Sequence, residues 1–204
     1  MDPLLRSALD LQLRDWRAAL QSGAERVGWK LGMGERERIG PGPVIGHLTS
    51  ATRLEPGAVF DAAGVAALHA DAEVALEIGP DGIAGYGAAL ELCDLASPPE
   101  RAHDVVAANV FHRAFALGPV DRGAPGAEVE GRLIVNGELR DSAPVERDLP
   151  GLVAAVGQLL GELGERLEPG DRLITGSVVQ VPLNDGDRVT ADLGPLGRVE
   201  LTVA

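Results

Sequence analysis

Residues 69–78, HADAEVALEI, constrain the fold more than any other stretch of the chain. Apolar and polar residues alternate along this stretch, and a period of two is typical of a β-strand, whose side chains point alternately to its two faces. The predicted apolar face comprises Ala72, Val74, Leu76 and Ile78, and the predicted polar face comprises His69, Asp71, Glu73 and Glu77. Asp71 and Glu73 are therefore expected on the same face, about 7 Å apart along the strand.

The acidic face has two interpretations. Two carboxylates side by side raise each other's pKa, and a divalent cation such as Mg²⁺ or Mn²⁺ would remove that penalty because carboxylate oxygens suit it as ligands. The alternative is a half-exposed strand with a hydrated acidic surface, since alternation alone mainly reports burial. A turn signal at residues 80–82, PDG, favours a return strand over residues 83–94. That strand would bring Glu91 back towards Asp71 and Glu73.

The composition argues against several classes of partner. A formal net charge of −13 argues against nucleic acid or an anionic membrane, because either would need a basic face. No apolar run is long enough to span a bilayer, and the charged N-terminus is unlike a signal peptide. The single cysteine, Cys93, excludes an internal disulfide and favours a reducing cytoplasm, while its apolar neighbours indicate a buried small hydrophobe. We therefore expect a cytoplasmic protein whose partner is a small molecule.

The remaining patterns predict an α+β fold with more strand than helix. Spaced apolar residues predict an amphipathic N-terminal helix over residues 3–22 and a second helix over residues 148–167. The 27 glycines and 14 prolines imply many turns, and the Asn-Gly pair at 136–137 is the strongest hairpin signal. No internal repeat or long linker interrupts the sequence. We expect an N-terminal helical arm, residues 1–26, followed by a single β-rich domain, residues 27–204.

Lys30 stands out because it interrupts a short apolar run, VGWKLGM, at residues 27–33. Burying an ammonium group is costly unless the group has a partner. The lysine is therefore either part of a functional pocket or a surface residue whose stem lies along apolar neighbours. Among the histidines, His69 is favoured for a functional role because it precedes the acidic strand, although a lone histidine is more often structural.

Seven segments occur in the order of a known family. They are GWKLG (28–32), DAEVALEI (71–78), ALELCD (89–94), an asparagine before FHRAFALGP (109 and 111–119), IVNGEL (134–139), LEPGDRLITGS (167–177) and NDGDRVTADLGPLGRVEL (184–201). Together they resemble the fumarylacetoacetate hydrolase superfamily, and within it the branch of 2-hydroxypenta-2,4-dienoate (2-keto-4-pentenoate) hydratases and 4-oxalocrotonate decarboxylases. The resemblance implies a mixed, mostly β roll and a homo-oligomer.

The resemblance also implies a site. By motif match, a divalent metal, Mg²⁺ or Mn²⁺, would be held by Asp71, Glu73 and Glu91. Lys30 matches a lysine that acts in proton transfer beside the substrate, and partial desolvation would lower its pKa towards the range that an acid or base needs. The implied catalytic residues are Lys30, Glu73 and Ser177. The implied substrate-binding residues are Lys30, Leu31, Asn109, Gly176 and Ser177.

The implied reaction is the addition of water to a 2-hydroxy-2,4-dienoate, or a similar 2-oxo acid, by a metal-dependent hydratase. An enolate stabilised at this site would serve a 2-oxo acid decarboxylase or an acylpyruvate-type C–C hydrolase equally well, so both remain alternatives. Departures from the family pattern leave a further alternative, a catalytically degenerate homologue that acts as a partner subunit. Asp71 replaces a glutamate, an arginine is missing after Asp94, and an aspartate and a serine are missing around Asn109.

Overall fold

The computed structural model describes residues 1–32, 44–96, 102–121, 128–146 and 148–204. Within these ranges the helices are α1 (Pro3–Gln21), α2 (Ala102–Ala107) and α3 (Leu149–Glu162), with a 3₁₀ turn at Gly194–Leu196. The strands are β1 (Arg26–Gly32), β2 (Val44–Thr49), β3 (Arg53–Leu54), β4 (Val59–Phe60), β5 (Leu68–Gly79), β6 (Gly82–Asp94), β7 (His112–Asp121), β8 (Glu130–Val135), β9 (Glu138–Pro144), β10 (Arg172–Ile174), β11 (Val179–Pro182), β12 (Arg188–Asp192) and β13 (Arg198–Val203).

The strands form two sheets. The larger sheet has the order β2-β1-β10-β5-β6-β7-β3, with β11 also paired to β5, and the smaller has the order β4-β13-β12-β8-β9. Most neighbouring strands are antiparallel, whereas β1 with β10, β3 with β7 and β4 with β13 are parallel. Apolar residues from both sheets and from the helices meet in one main hydrophobic core. The predicted α+β fold with a mostly β, mixed-sheet roll is confirmed.

The β5–β6 hairpin lies at the centre of the larger sheet and positions the acidic residues. Its register places Asp71 directly opposite Glu91. The predicted apolar face of β5, from Ala72 to Ile78 at alternate positions, is buried in the main core. Ala75, on the other face, belongs to a second, smaller apolar cluster. The predicted alternation is therefore confirmed, and the acids lie on the face that points away from the main core.

Helix α1 has the predicted limits to within a residue. Asp2 caps it, since its Oδ1 accepts hydrogen bonds from the Leu4 and Leu5 amides at 2.8 and 3.1 Å. Its apolar stripe is buried in the main core, so the helix packs against the sheets by the face that the spacing predicts. The buried side chain of Gln12 fixes this packing by donating to the Ile45 carbonyl oxygen at 3.0 Å and to the Val106 carbonyl oxygen at 2.7 Å.

Helix α3 begins where predicted, with Asp148 Oδ1 accepting from the Gly151 amide at 3.0 Å. The predicted end at residue 167 is wrong, because the helix stops at Glu162. Gly164 adopts a left-handed φ of 76°, and the Glu165 amide bonds back to the Leu160 carbonyl, which is the pattern of a Schellman cap. Leu167 still packs against the core from an irregular segment, so the apolar spacing outlasts the helix. No helix in the described ranges has the length and apolar character needed to cross a membrane.

The hairpin predicted from the Asn-Gly pair is confirmed as β8 and β9. Asn136 and Gly137 both have positive φ, 54° and 83°, and Val135 pairs with Glu138 across them. This is the geometry of a two-residue type I′ turn, which Asn-Gly favours because both central residues must adopt left-handed conformations.

An ion pair between Arg26 and Asp171 joins the start of β1 to the segment before β10. The guanidinium donates from Nε to Oδ1 at 2.7 Å and from Nη2 to Oδ2 at 2.6 Å, and Asp171 is 4% exposed. The same guanidinium lies 5.7 Å from the ring centroid of Trp16 and 5.5 Å from that of Trp29. Arg26 therefore links α1, β1 and β10 by charge and by cation–π contacts.

We expect Asp171→Asn to lower the free energy of unfolding by about 2–3 kcal/mol, because it leaves a largely buried guanidinium without its carboxylate. Glu130→Gln is the matched control, since its partner Arg132 is about half exposed and solvent screens the pair, so we expect little change in stability. Urea unfolding of both variants measures the difference. Equal losses in the two variants would show that the Arg26 pair has no special structural role.

Candidate metal and substrate site

The face of the β5–β6 hairpin that points away from the main core carries Asp71, Glu73, Glu91 and Cys93. Residues two apart on a strand share a face, and Asp71 lies opposite Glu91, so these side chains are neighbours. The exposed fraction is 5% for Asp71 and 1% for both glutamates. The interpretation of this face as a hydrated acidic surface is therefore wrong, and the predicted return of Glu91 to the acidic strand is confirmed.

Lys30, the single lysine of the chain, reaches the same place from β1. Its side chain is 2% exposed, and its ammonium forms an ion pair with Glu91. The ammonium also donates a hydrogen bond to the Val110 carbonyl oxygen at 3.0 Å. Strand β2 leaves room for the stem because residue 46 is glycine, where a Cβ would lie 2.7 Å from Lys30 Cγ. The lysine is thus buried and paired, and the alternative of a surface lysine is wrong.

His112, at the start of β7, completes the surroundings of Glu91. Its Nδ1 lies 2.6 Å from Glu91 Oε1, and its Nε2 lies 2.9 Å from Thr52 Oγ1. Burial lowers the pKa of His112 despite the hydrogen bond to Glu91, so the ring is neutral at pH 7. These contacts favour the tautomer in which Nδ1–H donates to Glu91 and Nε2 accepts from the Thr52 hydroxyl.

Sequence reasoning gave His112 less weight than His69. His69 Nδ1 lies 3.0 Å from the Ala67 carbonyl oxygen, and the residue does not line the site. The signal for His112 was its place in a predicted strand after Glu91. Which strand pairs with β6, and in which register, depends on tertiary packing and could not be taken from the spacing.

The charges of the site are strongly coupled. Burial alone would raise the pKa of Glu91, but the Lys30 ammonium and His112 hold it at about 2. Burial and the neighbouring Glu91 charge raise the pKa of Asp71 to about 7, and burial with Glu91 and Asp71 raises that of Glu73 well above its ordinary value. Burial would lower the pKa of Lys30, yet Glu91 raises it overall. The expected lowering of the Lys30 pKa is therefore wrong for the protein without a bound cation.

These side chains surround a cavity of about 40 Å³. A water molecule needs about 10–15 Å³ by this kind of measure, so the cavity has room for an ion and one or two waters. Its lining residues are Lys30, Leu31, Gly32, Asp71, Glu73, Glu91, Cys93, Leu95, Val110, Phe111, Ser177 and Gln180.

The acids fit a divalent cation. Asp71 Oδ1 is buried and has no hydrogen-bond partner among the described residues. Three possible ligand atoms, one each from Asp71, Glu91 and Cys93, lie within 4.8 Å of one another. A cation would supply the missing partner of Asp71 and would offset the repulsion that raises the pKa of two carboxyl groups.

Some of the residues implied for catalysis and substrate binding line the cavity, and others hydrogen-bond to neighbouring protein groups. Leu31, Ser177 and Gln180 line the cavity with Lys30 and Glu73, and the polar side chains of Ser177 and Gln180 act to lower the pKa of Asp71. Gly176 supports the site indirectly, since its amide donates to Glu73 Oε2 at 2.7 Å.

Asn109 does not line the cavity. Its Oδ1 accepts from the His47 amide at 2.8 Å, and its Nδ2 donates to the His47 carbonyl oxygen at 3.0 Å. The side chain therefore fixes the backbone of β2 at His47.

The fold is shared with several solved enzymes. The structure of 4-oxalocrotonate decarboxylase from Pseudomonas putida G7, complexed with magnesium and adipate, superposes with a TM-score of 0.85 at 22% identity, over 98% of this chain and 86% of the enzyme. Fumarylpyruvate hydrolase from Pseudomonas aeruginosa, in complex with Mn²⁺ and pyruvate, gives 0.63 at 16% identity, over 88% and 90%. The 2-hydroxyhepta-2,4-diene-1,7-dioate isomerase from Mycobacterium marinum gives 0.65 at 21% identity, over 89% and 76%. No protein-family model and no curated protein sequence matches the chain.

The raised pKa of Asp71 predicts a pH-dependent stability of the metal-free protein. The unfolded chain loses the Asp71 proton near pH 4, whereas the folded protein keeps it up to about pH 7. Between these values the unfolded state binds fewer protons, so this group destabilises the fold as the pH rises. We therefore expect the stability that Asp71→Asn gains over wild type to be small near pH 4 and to rise to about 2–4 kcal/mol above roughly pH 7.

Urea unfolding in the presence of a chelator at several pH values measures this gain. Asp185→Asn, at an exposed turn, is the control and should follow the wild-type profile. Parallel profiles for wild type and Asp71→Asn would show that the Asp71 carboxyl is not held in an unfavourable buried position.

Proposed function

Because the chain has the fold of the fumarylacetoacetate hydrolase superfamily, we propose that it is a divalent-metal-dependent hydratase of a 2-hydroxy-2,4-dienoate or a similar 2-oxo acid. The observation that carries the proposal is the buried group of Asp71, Glu73 and Glu91 beside the Lys30 ammonium. Three acids and one amine at 5% exposure or less are costly to bury, and a bound cation is the simplest source of compensation.

The cation would be held by Asp71 and Glu91, with Glu73 beside them. When bound, it would act as a Lewis acid that stabilises negative charge on the C2 oxygen of a 2-oxo or 2-enol acid. His112 keeps one oxygen of Glu91 occupied, so the carboxylate has a fixed orientation towards the cavity. The polar side chains of Ser177 and Gln180 line the cavity beside Asp71 and act to lower the pKa of its carboxyl group.

Lys30 and Glu73 are the proposed proton carriers. Hydration of a dienol needs a proton at C5 and a water molecule at C4. Lys30 Nζ holds a proton at the cavity wall, and its charge attracts the substrate carboxylate. Burial and the neighbouring Glu91 and Asp71 charges raise the pKa of Glu73, which favours the protonated form of its carboxyl group. Leu31 and Phe111 line the cavity and would exclude bulk water from the reacting atoms.

Decarboxylation of a 2-oxo diacid is the second candidate function. The decarboxylase from Pseudomonas putida G7 superposes with a TM-score of 0.85, whereas the fumarylpyruvate hydrolase gives 0.63. These structures share the fold of the chain, so decarboxylation and C–C hydrolysis both stand beside hydration as candidate reactions. Both the hydratase and the decarboxylase would use the same acids, because both reactions pass through an enolate at C2.

We expect the wild-type chain to bind one Mn²⁺ ion, and Asp71→Asn to weaken that binding at least about tenfold. Asp71 has the buried oxygen without a partner, so it loses most when its charge is removed. Isothermal titration with Mn²⁺ measures the affinity, with Asp185→Asn as a control of equal charge change. Absence of stoichiometric binding to the wild type would favour the degenerate homologue that acts as a partner subunit.

Replacing Lys30 with methionine keeps the length of the side chain and removes its charge. We expect kcat/KM to fall at least about 100-fold, which is the usual loss for a proton-transfer group. A panel of 2-oxo acids with Mg²⁺ or Mn²⁺ measures this, following loss of dienol absorbance together with CO₂ release. The first signal alone identifies a hydratase, and stoichiometric CO₂ identifies a decarboxylase.

The exposed residue Arg198 provides the control, because Arg198→Met removes one positive charge and Arg198 does not line the cavity. Circular dichroism establishes that Lys30→Met is folded. Full activity in a folded Lys30→Met variant would contradict the role given to this lysine.

A further inference from the structure

We propose that the Cys93 sulfur is a ligand of the bound cation, so that the site favours thiophilic divalent ions such as Zn²⁺ or Co²⁺ over Mg²⁺. The inference rests on the metal site of the proposed function and extends it to the identity of the metal. It concerns a residue that the sequence indicates only as a small buried hydrophobe.

The strand geometry places the Cys93 side chain at the wall of the cavity. It is two residues beyond Glu91 on β6, so the two side chains share a face. Its Sγ lies 3.6 Å from Asp71 Oδ2 and within 4.8 Å of the ligand oxygen of Glu91. Cys93 also lines the cavity and is 3% exposed. An ion that contacts both carboxylates is therefore within reach of the sulfur.

Glu73 is less available than Cys93 as a further ligand. Its Oε2 already accepts a hydrogen bond from the Gly176 amide at 2.7 Å. The group of ligand atoms within mutual reach is accordingly formed by Asp71, Glu91 and Cys93, among the residues that the structure describes.

Asp71 provides an independent indication of a ligand at this point. One of its oxygens, Oδ2, accepts the weak hydrogen bond from Cys93, whereas Oδ1 is buried without a partner in the described part of the chain. Buried carboxylate oxygens are rarely left without a partner, because the desolvation penalty is then uncompensated. A cation between Asp71, Glu91 and Cys93 would satisfy this oxygen.

The chemistry of sulfur then decides which ion is preferred. As the sulfur–metal bond forms, the S–H bond breaks and the thiol proton passes to solvent. Thiolate sulfur is a soft ligand that suits Zn²⁺ and neighbouring transition metals, whereas Mg²⁺ requires oxygen ligands in octahedral geometry. Transition metals bind more tightly than Mg²⁺ at most sites. The diagnostic quantity is therefore how much more Co²⁺ affinity than Mg²⁺ affinity is lost when Cys93 is replaced.

Cobalt absorption tests the proposal, because a sulfur ligand gives Co²⁺ a charge-transfer band in the near ultraviolet. Cys93 is the single cysteine, so Cys93→Val removes every thiol while keeping an apolar residue of similar size. We expect the intact wild-type protein to show the band in proportion to bound Co²⁺ and Cys93→Val to lack it. We also expect the variant to bind Co²⁺ about tenfold more weakly while its Mg²⁺ affinity stays within about threefold of wild type.

The outcomes separate this inference from the proposed function. Stoichiometric Co²⁺ binding without a charge-transfer band, and with unchanged affinity in Cys93→Val, would overturn the sulfur ligand and leave the carboxylate metal site in place. Failure of wild type to bind Co²⁺, Mg²⁺ or Mn²⁺ would overturn both. A band that persists in Cys93→Val would show that it does not arise from the Cys93 sulfur and would also overturn the proposal.

Discussion

The ion pair between Lys30 and Glu91 is the interaction on which the rest of the site depends. Both side chains are almost fully buried, and an ammonium or a carboxylate alone in such surroundings would be strongly destabilising. The pair joins β1 to β6, and His112 extends it to β7. Three strands that are distant along the chain are thereby held in one arrangement around the cavity.

The same ion pair sets the chemistry of the other acids. It leaves Glu91 ionised and fixed, and the charge of Glu91 then raises the pKa of Asp71 and of Glu73. The cavity therefore contains one permanent negative charge and two carboxyl groups that lose their protons with difficulty. Such a site attracts a cation more strongly as its acids ionise, because metal ligands must be deprotonated. The fold and the electrostatics of the hairpin thus favour the binding of a cation next to the Lys30 ammonium.

The sequence predicts the parts of this account that depend on local periodicity. Alternation in residues 69–78 predicts β5 and its two faces, and the turn signal after it predicts that Glu91 returns to Asp71. The end of α3 is not predicted, since the apolar spacing continues past Gly164, where the backbone turns into a left-handed conformation.

The parts that depend on tertiary contacts could not be predicted. His112 meets Glu91 because β7 pairs with β6 in a particular register, and that register is set by packing. Cys93 was correctly expected to be buried, yet an apolar run does not reveal that its face is the one that carries the acids. Gly176 and Asn109, which the family resemblance implies for substrate binding, each hydrogen-bond to a protein group in this structure. Motif matching identifies positions, whereas hydrogen bonding determines what each position does.

The most direct test of the central claim is a crystal structure of the protein soaked with Mn²⁺, with anomalous diffraction used to locate the ion. The account predicts one anomalous peak in the cavity, coordinated by carboxylate oxygens of Asp71 and Glu91 and adjacent to Lys30. A well-ordered cavity without such a peak at saturating Mn²⁺, or a peak at a different group of residues, would contradict it.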